Sequence, residues 1–304
     1  MLQADAGAPV AGRIGCRLIA PDDVDAVVEL LARGFRERTE RYWRDGLARQ
    51  AARVIPEGCP RFGYAMVAEN RIVGVVLTLY AASRDPRGGD AWCNLSSWYV
   101  EPDYRPYATL LDRMALRHGG TTFTNISPAP HTVPMHEARG FRRIGRGQIV
   151  AFPILGRRDP GVSVRAVGAD DALDDLPAAE RQLTADHLDY GCVALVGSDA
   201  RGSQPFIFIR HPIQTLKWRL GFSPAHYLQL VYCRSVEELP RFAHALGHRL
   251  LARHGAVCVV IDAEGPMAGL GGRYREGWGV RLARGADTVR PGDLAYSELV
   301  IFGP

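Results

Sequence analysis

The segment WYVEPDYRPYATLL, residues 98–111, combines residue types that can hold a phosphate group. Its first residues are apolar and β-prone, and Pro106 suits the first position of the helix that should follow. The first turn of a helix has main-chain N–H groups without intrahelical partners, and the helix dipole favours an anion there. Three amides would then face outward beside the guanidinium of Arg105, those of Tyr107, Ala108 and Thr109. An ordinary strand-to-helix corner with a surface arginine fits the same residues.

Polar side chains in the strand before this segment are candidates for contact with a reacting group. Strand alternation places Asn94 and Ser96 on one face. They either contact an acyl group or a substrate, or bond water at the end of the strand. Glu101 follows the strand but is expected to point along the loop, so no general base is assigned.

The elements around this segment occur twice in the same order. CRLIAPDD and VRAVGADD each open a half, and each half continues with a β-hairpin, a strand, a helix and a further strand. The sequence therefore predicts a mixed α/β fold of two tandem domains, each with a mostly antiparallel central sheet flanked by helices. The predicted boundaries are a flexible tail at 1–15, a first domain at 16–155, a linker at 156–163 and a second domain at 164–304.

Individual elements are predicted from periodicity and turn residues. Apolar residues at helical spacing predict a helix in DVDAVVELLARGF, and Glu69-Asn70 separates the two strands of a hairpin. Ser235 and Glu238 have the spacing of a capping box. GLGGRYREGWG has the glycines of a phosphate loop but no following helix, and it is interpreted as a flexible loop or arm. AYSELVIFG is predicted to be the closing strand.

Two stretches resemble the GCN5-related N-acetyltransferase (GNAT) superfamily, whose acyl-CoA motif reads V-x-P-x-Y-R-G-x-G-x-G/A before a helix. Val100, Pro102, Tyr104 and Arg105 match that motif, while its glycine positions hold Pro106, Ala108 and Leu110. The residues MHEARGF at 135–141 resemble the family's helix ending L-Y-E-K-L-G-F, and Asn125 also suits the family pattern. The resemblance spans about residues 14–155, and the second half matches in element order alone, so we expect the domain at 164–304 to be non-catalytic.

The resemblance implies a site for acetyl-CoA or another acyl-CoA. Main-chain groups of Trp98, Tyr99 and Val100 would bind the pantetheine amides. The pyrophosphate would lie on the loop that supplies Arg105, Tyr107, Ala108, Thr109 and Leu110. Asn94, Ser96 and Asn125 are weaker candidates for substrate contact.

His136 stands where the family has a tyrosine that protonates the departing thiolate. A protonated histidine is a competent acid for that step, since its ordinary pKa is about 6.5. Alternatively, His136 bonds the thioester sulfur without giving up a proton, or it is a polar residue on the exposed face of a short helix.

The departures from the motif leave three functions open. Pro106 offers no N–H, and Leu110 brings bulk where the family has a small residue. The first hypothesis is transfer of an acyl group from coenzyme A to an amine of a small molecule or peptide. The second is a catalytically silent protein that retains a ligand site. The third is transfer from an aminoacyl-tRNA, which the formal net charge of +4 argues against.

Composition narrows the class of protein. Hydrophobic residues make up 47% and charged residues 23%, as in a soluble globular chain, and the charge balance indicates no nucleic-acid partner. No apolar run approaches the length of a membrane span, and the N-terminus lacks the pattern of a signal peptide. The six cysteines are scattered without metal-ligand spacing, so we expect free thiols, no metal and a cytoplasmic location.

Overall fold

A computed structural model describes residues 14–83, 90–212, 226–285 and 289–304 of the chain. Residues 1–13, most of the predicted flexible tail, lie outside these ranges. Seven α-helices lie within them: α1 (Val24–Gly34), α2 (Glu40–Ala52), α3 (Ala108–Ala115), α4 (Val133–Ala138), α5 (Ala178–Asp189), α6 (Leu239–His254) and α7 (Glu298–Ile301). The same ranges contain fourteen strands: β1 (Gly15–Leu18), β2 (Gly63–Ala68), β3 (Arg71–Ala82), β4 (Ala91–Val100), β5 (Thr121–Asn125), β6 (Arg142–Arg143), β7 (Gly147–Ala151), β8 (Ser163–Val167), β9 (Val193–Asp199), β10 (Gly202–Pro212), β11 (His226–Cys233), β12 (Val259–Ala263), β13 (Gly272–Glu276) and β14 (Leu282–Arg284).

The strands form two sheets of seven strands each. The first has the order β1-β2-β3-β4-β5-β14-β6 and the second β13-β7-β12-β11-β10-β9-β8. β4 and β5 pair in parallel in the first sheet, as β11 and β12 do in the second, among mostly antiparallel neighbours. The mixed α/β fold class predicted from the sequence is confirmed.

Two strands belong to the sheet formed mainly by the other half of the chain. β7, near the end of the predicted first domain, pairs with β12 and β13 in the second sheet. β14, from the C-terminal part of the chain, pairs with β5 and β6 in the first sheet. The proposed linker at 156–163 stays a prediction.

The chain divides into two compact units. Unit 1 comprises residues up to 80 together with 95–119, and unit 2 comprises residues 81–94 together with 120–304. In unit 1 the predicted helical stripe is buried, with Val27, Val28 and Leu31 fully covered. In unit 2 one face of α6 packs on the second sheet, where Phe206 and Phe242 have ring centroids 5.2 Å apart.

The predicted hairpin around Glu69-Asn70 is confirmed. β2 ends at Ala68 and β3 begins at Arg71, so the turn has two residues. Glu69 and Asn70 have φ values of 50° and 64°, as a two-residue type I′ turn requires.

Three local predictions are wrong. Glu298–Ile301 form a helix rather than part of a closing strand, because the Asn94 side chain accepts the Glu298 N–H at the helix start. Gly272–Glu276 form an edge strand rather than a loop, and a Cβ at Gly272 would lie 2.5 Å from the Val150 carbonyl oxygen, so glycine permits the pairing. Ser235 makes no side-chain cap, since its hydroxyl donates to Glu237.

Candidate functional site

The segment between β4 and α3 is a 3-10 turn. It spans Pro102–Tyr107, and α3 begins at Ala108, two residues after the predicted start near Pro106. The turn is closed by bonds of the 3-10 type: Tyr104 N–H donates to the Glu101 carbonyl at 3.0 Å, and Ala108 N–H donates to the Arg105 carbonyl. The expectation that the Ala108 amide faces outward is therefore wrong. In a 3-10 turn an N–H bonds to the carbonyl three residues earlier, so the Ala108 N–H is already used within the turn.

Arg105 offers an uncommitted charge on this turn. Its side chain is exposed, and among the described residues its guanidinium has no ion pair or hydrogen bond. Tyr107 is 40% exposed, and Thr109 is exposed as well. Leu110 is half-buried, whereas its neighbour Leu111 is fully covered. The turn thus presents a guanidinium to solvent, whereas Pro106 has no N–H and the Ala108 N–H is bonded within the turn.

The carboxylate of Glu101, at the end of β4, is neutralised by two arginines. Arg71 contacts it at 2.7 Å and Arg33 at 3.2 Å. The hydrogen bonds that Arg71 donates to the Glu101 carboxylate raise the pKa of Arg71, and the Arg71 guanidinium also lies over the Tyr104 ring at 5.9 Å. Exposed ion pairs of this kind add little stability. Their local effect is to cancel a negative charge that would repel an anion bound at the turn.

The side chains of residues 98–100 anchor β4, and the expected contact of their main-chain groups with pantetheine stays a prediction. A Cβ on Gly34 would lie 2.5 Å from the Tyr99 ring, so that ring rests directly on the end of α1. Val100 is buried against Gly74, and Trp98 is half-buried. Just before them, Ser97 has φ of 49°, a left-handed conformation rare for a non-glycine residue and typical of a bulge.

Asn94 is fully buried and uses both ends of its amide. Nδ2 donates to Thr124 Oγ1 at 3.2 Å, and Oδ1 accepts the Glu298 N–H at 2.8 Å. Asn94 and Thr124 are also the last residue pair of the parallel β4–β5 ladder. Ser96 is buried too, with its hydroxyl 2.8 Å from that of Ser97. Asn94 therefore has a structural part in joining β4, β5 and α7.

Asn125 and His136, predicted from the same family pattern, are in contact. Asn125 Nδ2 lies 3.2 Å from His136 Nε2, and Asn125 Oδ1 accepts the Ser127 N–H at 3.3 Å. Because the amide oxygen faces Ser127, the amide nitrogen donates to Nε2. A neutral His136 then has its proton on Nδ1.

His136 is 2% exposed, so the alternative of an exposed polar residue is wrong. Burial, and secondarily the charge of Arg139, lower the pKa of its imidazole. The ring also packs edge-on against Phe141 at 5.1 Å. These contacts favour the neutral form at pH 7, whereas the predicted role in thiolate protonation needs the imidazolium. That role stays a prediction.

Ser127 and Glu298 join this set of polar contacts without having been predicted. The Ser127 hydroxyl donates to Glu298 Oε1, and Glu298 begins α7 beside Asn94. The sequence signal was Ser297-Glu298, an N-cap residue followed by an acid, but the Leu-Val-Ile-Phe run after it favoured a strand.

Among the described residues, no group of three or more His, Cys, Asp or Glu side chains is placed to hold a metal ion. None of the helices within the described ranges has the length and apolar character that crossing a membrane requires.

No protein-family model and no curated protein matches the sequence. Solved structures do match the fold. A GCN5-related N-acetyltransferase from Kribbella flavida superposes with a TM-score of 0.57 at 17% identity, over 92% of this chain and 73% of that one. One from Anabaena variabilis gives 0.53 at 12% identity, over 90% and 72%. A putative acetyltransferase from Pyrococcus horikoshii gives 0.50 at 10% identity, over 97% and 96%.

The chain has the GNAT fold. At these identities the likeness is one of architecture. Within the GNAT fold, the segment from β4 through the 3-10 turn to α3 corresponds to the stretch that resembles the acyl-CoA motif in sequence. Arg105 and Pro106 lie in the 3-10 turn of this segment, and Ala108 and Leu110 lie in the first turn of α3.

Proposed function

We propose that the protein is an acyltransferase that moves an acetyl or other short acyl group from coenzyme A to an amine. The amine would attack the thioester directly within a ternary complex. The observation that supports this most is the exposed, uncommitted Arg105 on the turn after β4 of a GNAT fold. The two arginines that neutralise Glu101 also favour an anion at this turn.

In this proposal the turn binds the pyrophosphate through the Arg105 side chain, with Tyr107, Ala108, Thr109 and Leu110 around it. Main-chain groups at residues 98–100 bind the pantetheine. A small amine or peptide amine is the acceptor. We also propose a cytoplasmic location, which the six free thiols support.

Calorimetry with acetyl-CoA tests the cofactor site. Hydrogen bonds to a charged group contribute about 1.5–3 kcal/mol, so Arg105→Ala should weaken acetyl-CoA binding about 10- to 100-fold. Arg113→Ala is the matched control: Arg113 is likewise exposed, lies on α3, and should leave the affinity within about twofold. Folded wild-type protein that binds no acetyl-CoA at millimolar concentration would refute the proposal.

A second candidate is a GNAT-like protein that binds a ligand without catalysis. The committed Ala108 amide, the proline at 106 and the lowered pKa of His136 favour it. Release of coenzyme A over a panel of amines separates the two candidates. Binding of acetyl-CoA without turnover on any amine would support the silent protein.

A further inference from the structure

A cavity of about 640 Å³ lies within unit 2, at one end of the second sheet. Its walls come from the end of β8, the start of β9, the region near the end of β10, and the last turn of α6. Small and apolar side chains form part of the lining: Ala166, Val167, Cys192, Val193 and Ala194. Ligand pockets have volumes of about 300–1,000 Å³, so this cavity is large enough for a small metabolite.

Three basic side chains line the same cavity, those of Arg210, Arg253 and His254. Both arginines are exposed, and neither forms an ion pair with any residue that the structure describes. Within the described ranges, Asp171 is the one acidic residue in the lining, and its carboxylate accepts the Gly168 N–H at 2.8 Å. The cavity therefore has an excess of positive charge, and a cleft lined by one sign of charge attracts ions of the other.

His254 orients one of the two guanidinium groups. Arg210 Nη2 donates to His254 Nδ1 at 2.7 Å. Burial lowers the pKa of this imidazole, and the charges of Arg210, His226 and Arg253 lower it further. The neutral form is therefore favoured at pH 7, and its proton lies on Nε2 because Nδ1 accepts from the guanidinium. His254 thus holds one nitrogen of Arg210 in place and has an N–H of its own, while the other N–H groups of Arg210 can reach a ligand.

We propose that this cavity binds a small organic phosphate, as a second ligand site that does not depend on the proposed acyl transfer. The phosphate group binds to the guanidinium groups of Arg210 and Arg253 and to the Nε2–H of His254. Guanidinium groups make charge-assisted, often bidentate bonds to phosphate, and a phosphate has more acceptor oxygens for three donor side chains than a carboxylate has. The organic part packs against the apolar residues of β8 and β9. A carboxylate ligand is the alternative that the experiment must separate.

Part of this arrangement has a simpler explanation. Arg253 and His254 occupy the last turn of α6, where a positive charge is favourable beside the helix carbonyls. On that explanation alone, Arg210 only bonds to His254 and the cavity binds no anion. The two explanations differ in whether an anion binds and in whether both arginines contribute to its affinity.

Calorimetry on the full chain tests the proposal with four probes: phenyl phosphate, inorganic phosphate, benzoate and benzyl alcohol. Phenyl phosphate should bind more tightly than inorganic phosphate, because its ring contacts the apolar wall, and more tightly than benzoate. Benzyl alcohol, which has no charge, should not bind at the same concentration. The titrations are repeated with Arg105→Ala, because a phosphate could also bind at the turn after β4. Phenyl phosphate should have the same Kd for this variant as for the wild type.

Variants of the lining residues locate the bound phosphate. Arg210→Ala and Arg253→Ala should each weaken phenyl phosphate binding about 10-fold or more. Asp171→Asn should strengthen it several-fold, because it removes a negative charge while its amide oxygen can still accept the Gly168 N–H. Arg158→Ala is the matched control: Arg158 is an exposed arginine of unit 2 outside the cavity, and its variant should bind within about twofold of the wild type. Urea denaturation checks that every variant is folded.

Three results would overturn the proposal. One is folded wild-type protein that does not bind phenyl phosphate at millimolar concentration. Another is wild-type affinity in folded Arg210→Ala and Arg253→Ala, or loss of binding in Arg105→Ala, which would place the anion elsewhere. The third is benzoate binding as tightly as phenyl phosphate, which would overturn the assignment to phosphate. A wild type that binds phenyl phosphate but not acetyl-CoA would refute the proposed function alone, so the two proposals fail separately.

Discussion

Gly34, the last residue of α1, couples the packing of that helix to the strand proposed to bind pantetheine. A Cβ added at this position would lie 2.5 Å from Tyr99 Cδ2 and 2.6 Å from Tyr99 Cγ. Carbon atoms in contact prefer a separation of about 3.5–4.0 Å, so Gly34→Ala requires a movement of about 1 Å. Rotation of the ring does not provide it, because Cγ lies on the χ2 axis. The movement must come from χ1 of Tyr99 or from the main chain of β4.

Two opposing effects decide the sign of the stability change for Gly34→Ala. Alanine is favoured over glycine in a helix by up to about 1 kcal/mol, and less at a helix end. Overpacking of a well-packed site costs about 1–3 kcal/mol. Tyr99 is confined further by Phe35, whose ring centroid lies 6.1 Å away, so relief by a simple swing outward is restricted. We expect a net loss of about 1–2 kcal/mol in the free energy of unfolding.

Urea denaturation followed by circular dichroism measures this change, and calorimetry with acetyl-CoA measures its effect on the proposed site. Displacement of Tyr99 moves the neighbouring main-chain groups, so we expect several-fold weaker acetyl-CoA binding. Gly265→Ala is the control, because a Cβ there has nothing within 4 Å, and it should change stability by less than about 0.5 kcal/mol. A Gly34→Ala protein as stable as the wild type, or more stable, would refute the packing argument.

Two further predictions concern buried charge in unit 2. Arg281 Nε contacts Asp262 Oδ2 at 3.0 Å, and the two side chains are 11% and 3% exposed. Arg281→Leu would leave the Asp262 carboxylate buried without its charge partner. We therefore expect the free energy of unfolding, measured by urea denaturation, to fall by about 3–5 kcal/mol. Adding Asp262→Leu should recover most of that loss, and no recovery would contradict the charge explanation. The pKa of His136 is lowered from 6.5, so the unfolded chain binds a proton that the folded chain resists, and stability should fall as the pH drops below about 6.5. Urea denaturation at pH 7.5 and 5.5 measures the loss in the free energy of unfolding between the two pH values. This loss should be smaller in His136→Gln than in the wild type, and equal losses would exclude His136 as its cause.

Local periodicity and turn chemistry account for the parts of the fold that were predicted correctly. α1 follows from apolar residues at helical spacing, and the Glu69-Asn70 hairpin follows from two residues that tolerate positive φ. The apolar spacing and the turn residues each involve only neighbouring positions. A single sequence can therefore predict both features.

Two of the wrong predictions depend on partners distant along the chain. Glu298 begins a helix with the help of Asn94, 204 residues earlier, and no local pattern reports that bond. Gly272 belongs to a strand because Val150 approaches its backbone closely. The Asn125–His136 pair was predicted only as two separate residues. The hydrogen bond that sets the tautomer of the histidine depends on Ser127 as well.

The 3-10 turn after β4 changes how an anion would be bound there. A glycine-rich loop offers several main-chain N–H groups in fixed directions, whereas here residue 106 has no N–H and the Ala108 N–H is bonded to Arg105. The remaining attraction comes mainly from one guanidinium, which makes charge-assisted bonds to phosphate but is held on a flexible side chain. Glu101 would cancel that attraction if its two arginines did not neutralise it. In the proposed site, side-chain charge from Arg105, with Glu101 neutralised by Arg33 and Arg71, would do what main-chain N–H groups do in a glycine-rich loop.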